Sequence, residues 1–321
     1  MATPKLLVGA SNQSRRSRPG QRRHSFPTVG PLLVVLTVGA LLVSPAASSG
    51  TTGEPWQAAP TSIVQEVTNV PESVFDAVSL QSTVSAPVLL HGQPQLEFDG
   101  KPGIFYMASE PCPYCAAERW AFVIALARFG SWSHLGITQS ASDDVDPSTQ
   151  TFTFSRATYS SPYVALRTRE YFGTQKLPNG DYSVLQRPTP AESSLYKSYT
   201  SSRYFPANPS GLPFVDFGNR VVVSSSSYDP YVLHGLSREQ IAADLNVPTS
   251  PATQDIIATA NYLSAAACLI DGDRPTAVCQ SPGVLGSAHF VERSYGYGVG
   301  ACVPAKNGQS ICGETNSFTK G

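Results

Sequence analysis

Apolar positions along the chain fall into short runs broken by Gly and Pro, and their spacing changes from run to run, as expected where strands and helices are mixed. Residues 103–108 (G-I-F-Y-M-A), introduced by Lys101-Pro102, predict a short buried strand. A helix is predicted directly after it. Residues Pro113 to Phe129 are rich in Ala and Leu, set Trp120, Val123, Ile124 and Ala127 at helical spacing, and stop at Gly130. Within this helix Trp120 is expected in the core, and Glu118 and Arg119 are expected to face solvent. Further along, the pattern predicts a strand pair near 133–155 and a helix near 189–200. Residues 211–223 read as a β-hairpin turning at Gly218-Asn219, with Pro213 at the entry of its first strand, a place where proline is tolerated. An amphipathic helix from Leu236 to Leu245 follows, with Ser237 able to cap it and Glu239 and Gln240 in its first turn. A last helix is predicted over 252–269, ending near Asp271-Gly272.

Composition adds that this is a folding chain. With 321 residues, 41% of them hydrophobic and only 14% charged, it buries a substantial core. The near-neutral net charge conceals an uneven distribution, because six basic residues and no acidic one fall within residues 1–30. The remainder is net acidic and has no Lys/Arg stripe, so nothing electrostatic calls for a nucleic-acid partner. After the basic head, Val29 to Val43 carries no charge and gives way to the small residues Ser44-Pro45-Ala46-Ala47-Ser48. Basic, apolar, then small is the order of a secretory signal; extended through Ala47, the same run just crosses a bilayer. Residues 1–48 are thus expected to act as a cleaved signal or as a membrane anchor over 29–47, with the rest of the chain extracytoplasmic. Residues 49–64 are expected as a linker, 65–282 as the folded domain and 283–321 as a loose tail held by cysteines.

Six cysteines lie beyond the export segment: Cys112, Cys115, Cys268, Cys279, Cys302 and Cys312. An even number in an exported chain points to disulfides. The simplest arrangement staples 268 to 279 and 302 to 312 and leaves 112/115 as a separate redox pair; a second redox pair at 268/279 is the sharper alternative. Cys112-Pro113-Tyr114-Cys115 stands where the predicted strand meets the predicted helix. Pro113 suits the first helical position, which puts Cys112 at the helix N-terminus. There the unpaired N–H groups and the helix dipole favour a thiolate. Such a sulfur is the nucleophile of thiol–disulfide exchange, and Cys115, one turn deeper, is placed to resolve the mixed disulfide. Pro113 and Tyr114 tune the pair. A zinc site would need two more ligands; His24, His91, His134, His234 and His289 are scattered, and no metal or cofactor is expected.

Strand, C-x-x-C and helix, followed at a distance by a proline, hairpin and helix, resemble the thioredoxin-like superfamily. The chain is most similar to the family called domain of unknown function 929. The residues that carry this likeness are E-P-C-P-Y-C-A-A-E-R-W-A at 110–121, A-L-A-R-F-G at 125–130, T-F-S-R-A-T-Y-S-S-P-Y at 153–163 and L-P-F-V-D-F-G-N-R at 212–220, with A-N-Y-L-S-A-A-A-C at 260–268 and P-T-A-V-C at 275–279. The likeness covers roughly residues 65–282. It implies an α/β fold with a central mixed sheet flanked by helices, an insertion between the first βα unit and the proline strand, and a cis Leu212–Pro213 bond facing Cys112. Cys112, Cys115 and Pro213 are then the catalytic set of a thiol–disulfide oxidoreductase, with protein thiols, protein disulfides or a redox partner protein as its counterpart. The rivals are a non-catalytic binding protein on the same scaffold, with a structural 112/115 disulfide, and a metal-handling protein using the same two sulfurs.

Overall fold

The computed structural model describes residues 55–293 apart from 79 and 206–210, and the backbone of two short strands near the C-terminus. The segment expected as signal or anchor, 1–48, lies outside the described residues. No described helix is long and apolar enough to cross a membrane.

The elements run β1 (Gln57–Ala58), α1 (Thr61–Thr68), α2 (Glu72–Ala77), β2 (Val88–Leu89), β3 (Glu97–Phe98), β4 (Lys101–Ala108) and α3 (Pro113–Ala127). A strand-rich stretch follows: β5 (Ser131–Ser133), β6 (Gly136–Gln139), β7 (Gln150–Thr153), β8 (Thr158–Ser160), β9 (Ala165–Glu170), β10 (Phe172–Lys176) and β11 (Tyr182–Val184), closed by α4 (Pro190–Tyr199). The chain continues through β12 (Phe214–Phe217), β13 (Val221–Ser224), a 3-10 turn (Pro230–Leu233), α5 (Arg238–Asp244), α6 (Pro251–Asp271), α7 (Thr276–Cys279), α8 (Pro282–Arg293), β14 (Cys302–Pro304) and β15 (Ser310–Cys312).

The core is a mixed sheet. Its centre is β4, which pairs antiparallel with β12 on one side and parallel with β9 on the other; β13 and then β2 extend it beyond β12. Side chains alternate across β4 as a two-sided buried strand demands. Ile104, Tyr106 and Ala108 join the large cluster under α3 and α6, while Phe105 and Met107 join a smaller one with Leu195, Tyr196 and Tyr199 of α4. The fold is therefore α/β, with helices on both faces. A second, antiparallel sheet in the order β1-β6-β7 leans on α3, where Thr151 Oγ1 donates to the Ala116 carbonyl at 2.7 Å.

Local chemistry explains the boundaries of these elements. The β12–β13 connection, where the Arg220 N–H donates to the Phe217 carbonyl at 2.9 Å, holds both central residues of that turn, Gly218 and Asn219, at positive φ, +63° and +55°, as a type I′ turn requires. Helices α4 and α5 both open with capping boxes, Thr189 with Glu192 and Ser237 with Gln240. Gly272, at φ +77°, closes α6 in the left-handed conformation.

Three expectations need correction. The linker expected over 49–64 contains β1, which pairs with β6, and the start of α1, whose Ile63 is buried; apolar residues recurring at Ile63 and Val67 give α1 a face to bury. The tail expected from 283 begins as α8, which packs on α6 through Val284 and Val291. Glu118 and Arg119, expected in solvent, are completely buried. Beyond its first turn their helix is apolar on every side and is enclosed by α6, α1, β5 and β7, so it has no solvent face there.

Candidate active site

Strand β4 delivers the chain into Ser109-Glu110-Pro111, and α3 begins at once. Cys112 is the N-cap, with extended backbone at φ −81° and ψ 124°, and Pro113 occupies the first helical position. The Cys115 N–H donates to Cys112 Sγ at 3.2 Å, which supplies one of the helix's orphan donors to the sulfur. From the other side, Cys112 Sγ lies 3.8 Å from the Leu212 carbonyl oxygen, to which its thiol donates. The Leu212–Pro213 peptide, expected to be cis, is cis. Cys112, Cys115 and the peptide leading into Pro213 are thus brought together from positions a hundred residues apart in sequence.

The two sulfurs differ sharply. Cys112 is half-buried, Cys115 is fully buried, and both are free thiols. Hydrogen bonding from the Cys115 thiol, aided by the Cys115 N–H, pulls the Cys112 thiol below its ordinary range, against an opposing push from burial. Burial drives the Cys115 thiol well above that range. Such a pair can present one thiolate to a partner while keeping the other sulfur protonated and out of reach. Tyr114 is the exposed member of the tetrapeptide, with 40% of its surface accessible; partial burial and then the charges of Asp146, Asp229 and Asp144 raise its phenol.

Behind the thiols lies a charged interior that the sequence reading did not anticipate. Arg119 grips Glu170 of β9 through two parallel bonds, Nε to Oε1 at 3.0 Å and Nη2 to Oε2 at 2.6 Å, with both side chains inaccessible to solvent. Glu170 Oε1 also accepts from the Phe154 N–H at 3.0 Å. From the neighbouring position on α3, Glu118 accepts from the Ser227 N–H at 2.8 Å and from Ser227 Oγ at 3.1 Å, and burial raises its carboxyl to about 7. A signal for both was present in the sequence: two charged residues in an otherwise apolar helix must find partners inside the protein.

Next to the thiols, Glu110 is nine-tenths buried and accepts from Thr153 Oγ1 at 2.5 Å; burial raises its carboxyl. It borders an open polar cavity of about 310 Å³ that Gln139, Gln150 and Arg238 also line and that neither thiol reaches.

The remaining cysteines lie elsewhere. Cys268 and Cys279 form a disulfide with a Cα–Cα distance of 5.7 Å, tying the last turn of α6 to α7. This bridge sits near the far end of β12 from the thiols, where Ile270 abuts Gly218. Cys302 and Cys312 are register partners in the β14–β15 pair, and the state of their sulfurs lies outside the described residues. Among the described residues, no group of three or more His, Cys, Asp or Glu side chains is arranged to hold a metal ion.

Fold and site together define a mixed α/β protein with an asymmetric dithiol at a helix N-terminus. The chain belongs to the family described as domain of unknown function 929, whose model matches residues 91–269. That span runs from before β3 to the last turn of α6, and is narrower than the 65–282 expected from sequence. No curated protein and no solved structure matches the chain.

Proposed function

We propose that the chain is a thioredoxin-like thiol–disulfide oxidoreductase that works outside the cytoplasm on protein substrates. The observation that carries this reading is the placement of Cys112: a half-buried sulfur that caps a helix, accepts the Cys115 N–H at 3.2 Å and faces the Leu212 carbonyl at 3.8 Å. The sheet order β13-β12-β4-β9, with β9 parallel and β12 antiparallel to β4, supports a thioredoxin-like core; β5 to β8 and β10 to α4 are then additions around it. The basic head and the uncharged Val29–Val43 run support export or anchoring.

In the reducing direction, the Cys112 thiolate attacks one sulfur of a substrate disulfide and the other substrate sulfur leaves as a thiolate. Cys115 then attacks Cys112 Sγ. The 112/115 disulfide forms, and the second substrate thiol departs with the proton that Cys115 gives up. Two electrons pass from the dithiol to the substrate. Oxidation of a substrate dithiol is the same sequence run backward from the 112/115 disulfide, and this direction or disulfide isomerisation suits an extracytoplasmic location better.

The test is to follow thiol alkylation of the full chain against pH and to measure the reduction potential of the pair, with Cys112→Ser and Cys115→Ser as controls. The expected result is one fast-reacting thiol, lost in Cys112→Ser, that titrates below the ordinary thiol range, and turnover of a disulfide peptide. A pair that resists reduction and turns nothing over points instead to a binding scaffold with a structural bridge, and zinc bound in stoichiometric amount to a metal-handling role.

A further inference from the structure

Resolution of a mixed disulfide requires Cys115 to become an anion in a dry interior, and burial alone opposes this strongly. Two buried hydrogen-bond donors nearby have no acceptor among the described residues. Arg119 spends Nε and Nη2 on Glu170, leaving Nη1 without a partner, and the Tyr106 hydroxyl on β4 is likewise unpartnered; both residues are fully buried. Unpaired buried donors are costly and uncommon. Arg119 stands four residues after Cys115 on α3, hence on the same helix face, and helical side chains lean toward the N-terminus, which carries the guanidinium back toward the turn that holds Cys115. Tyr106 points from β4 into the same core cluster as Cys115.

We propose that Arg119 and Tyr106 are positioning residues for the second sulfur, holding two otherwise idle donors for the Cys115 thiolate while Glu170 fixes the guanidinium. The proposal rests on the exchange reading above. A protonated thiol offers these donors only a weak acceptor, whereas a thiolate is a strong one, so the arrangement favours the charged state that resolution needs. The charge of Arg119 acts against the burial that raises the Cys115 thiol. The ionisable groups around Cys115 are Cys112, Glu118 and Arg119 on α3, Tyr106 on β4 and Glu170 on β9.

Stopped-flow reaction of the full-length dithiol with dithiobis(nitrobenzoate) separates the steps. Attack by Cys112 releases one thionitrobenzoate and leaves the other on Cys112; attack by Cys115 releases the second as the 112/115 disulfide closes. Cys115→Ser identifies the second phase by abolishing it. Tyr106→Phe removes one donor without changing shape, and should move the pH midpoint of the second phase upward by about one unit, slowing it about tenfold at neutral pH. Glu170→Gln frees the guanidinium from its carboxylate and should move that midpoint downward. Opposite shifts from two buried, nearly isosteric changes do not arise from loosened packing. Unchanged midpoints, or equal slowing in both variants, overturn the proposal while leaving the exchange reading in place. A native chain that never carries thionitrobenzoate on Cys112 overturns both.

Discussion

Glu118 and Asp216 are carboxylic acids that the fold keeps away from water, and each therefore links proton binding to stability. Glu118 is tied to Ser227, and Asp216 on β12 accepts the Asn219 N–H at 2.7 Å while its second oxygen has no partner among the described residues. Burial raises both carboxyls to about 7. In the unfolded chain they titrate near 4, so between that value and about 7 the folded state holds more protons. The stabilisation is complete below the unfolded values and is lost as pH rises through about 7. Thermal unfolding followed by circular dichroism should therefore show a higher midpoint at pH ~5 than at pH ~8. Glu118→Gln should flatten this difference by on the order of 1–3 kcal/mol, since Gln still offers Ser227 an acceptor but cannot ionise. An unaltered pH profile in Glu118→Gln refutes this linkage. The cysteine pair was legible from sequence because cap, proline and sulfur spacing are local. Glu118 and Arg119 were not, because Ser227 and Glu170 lie 109 and 51 residues away and only the assembled fold brings them close.

At the scale of elements, periodicity and caps sufficed wherever an element's reason for existing lies within its own residues. Strand β4, helix α3, the β12–β13 hairpin and the Ser237 cap of α5 all belong to this class. Strand β9 does not. Its sequence, A-L-R-T-R-E, carries three charges in six residues, yet all six residues pair with β4 because its charged side chains are neutralised from both faces. Arg169 bonds Glu192 of α4 at 2.9 Å, and Glu170 meets Arg119. The hairpin illustrates coupling between elements. A β-carbon added at Gly218 would lie 2.8 Å from Cγ2 of Ile270 on α6 and would have to tolerate φ +63°. Gly218→Ala should consequently lower stability by about 1–3 kcal/mol, read as a reduced urea midpoint at unchanged slope. Ser237→Ala, which removes only one cap, should lower it by about 1 kcal/mol in the same experiment.

For the molecule as a whole, the Cys268–Cys279 bridge and the 112/115 dithiol are sulfur pairs in different states, one a disulfide and the other two free thiols. Cys268 and Cys279 are 4% and 2% exposed, so a reductant reaches them only when α6 and α7 come apart. Cys268→Ala with Cys279→Ala should lower stability by about 2–3 kcal/mol, given a loop of 11 residues, without altering alkylation of Cys112. Loss of Cys112 reactivity in that variant would show that the two pairs are coupled. The encirclement of α3 has one more consequence. A helix walled in by β5, β7, α1 and α6 has no room to tilt or slide when its first turn gains or loses a bond, so oxidation is not expected to be transmitted by moving it as a lever. Any partner that tells the oxidised protein from the reduced one must sense the accessible rim, at Cys112, Tyr114 and the Gly211–Leu212 strap. Amide hydrogen exchange should differ between the two forms along that rim and stay level through the body of α3.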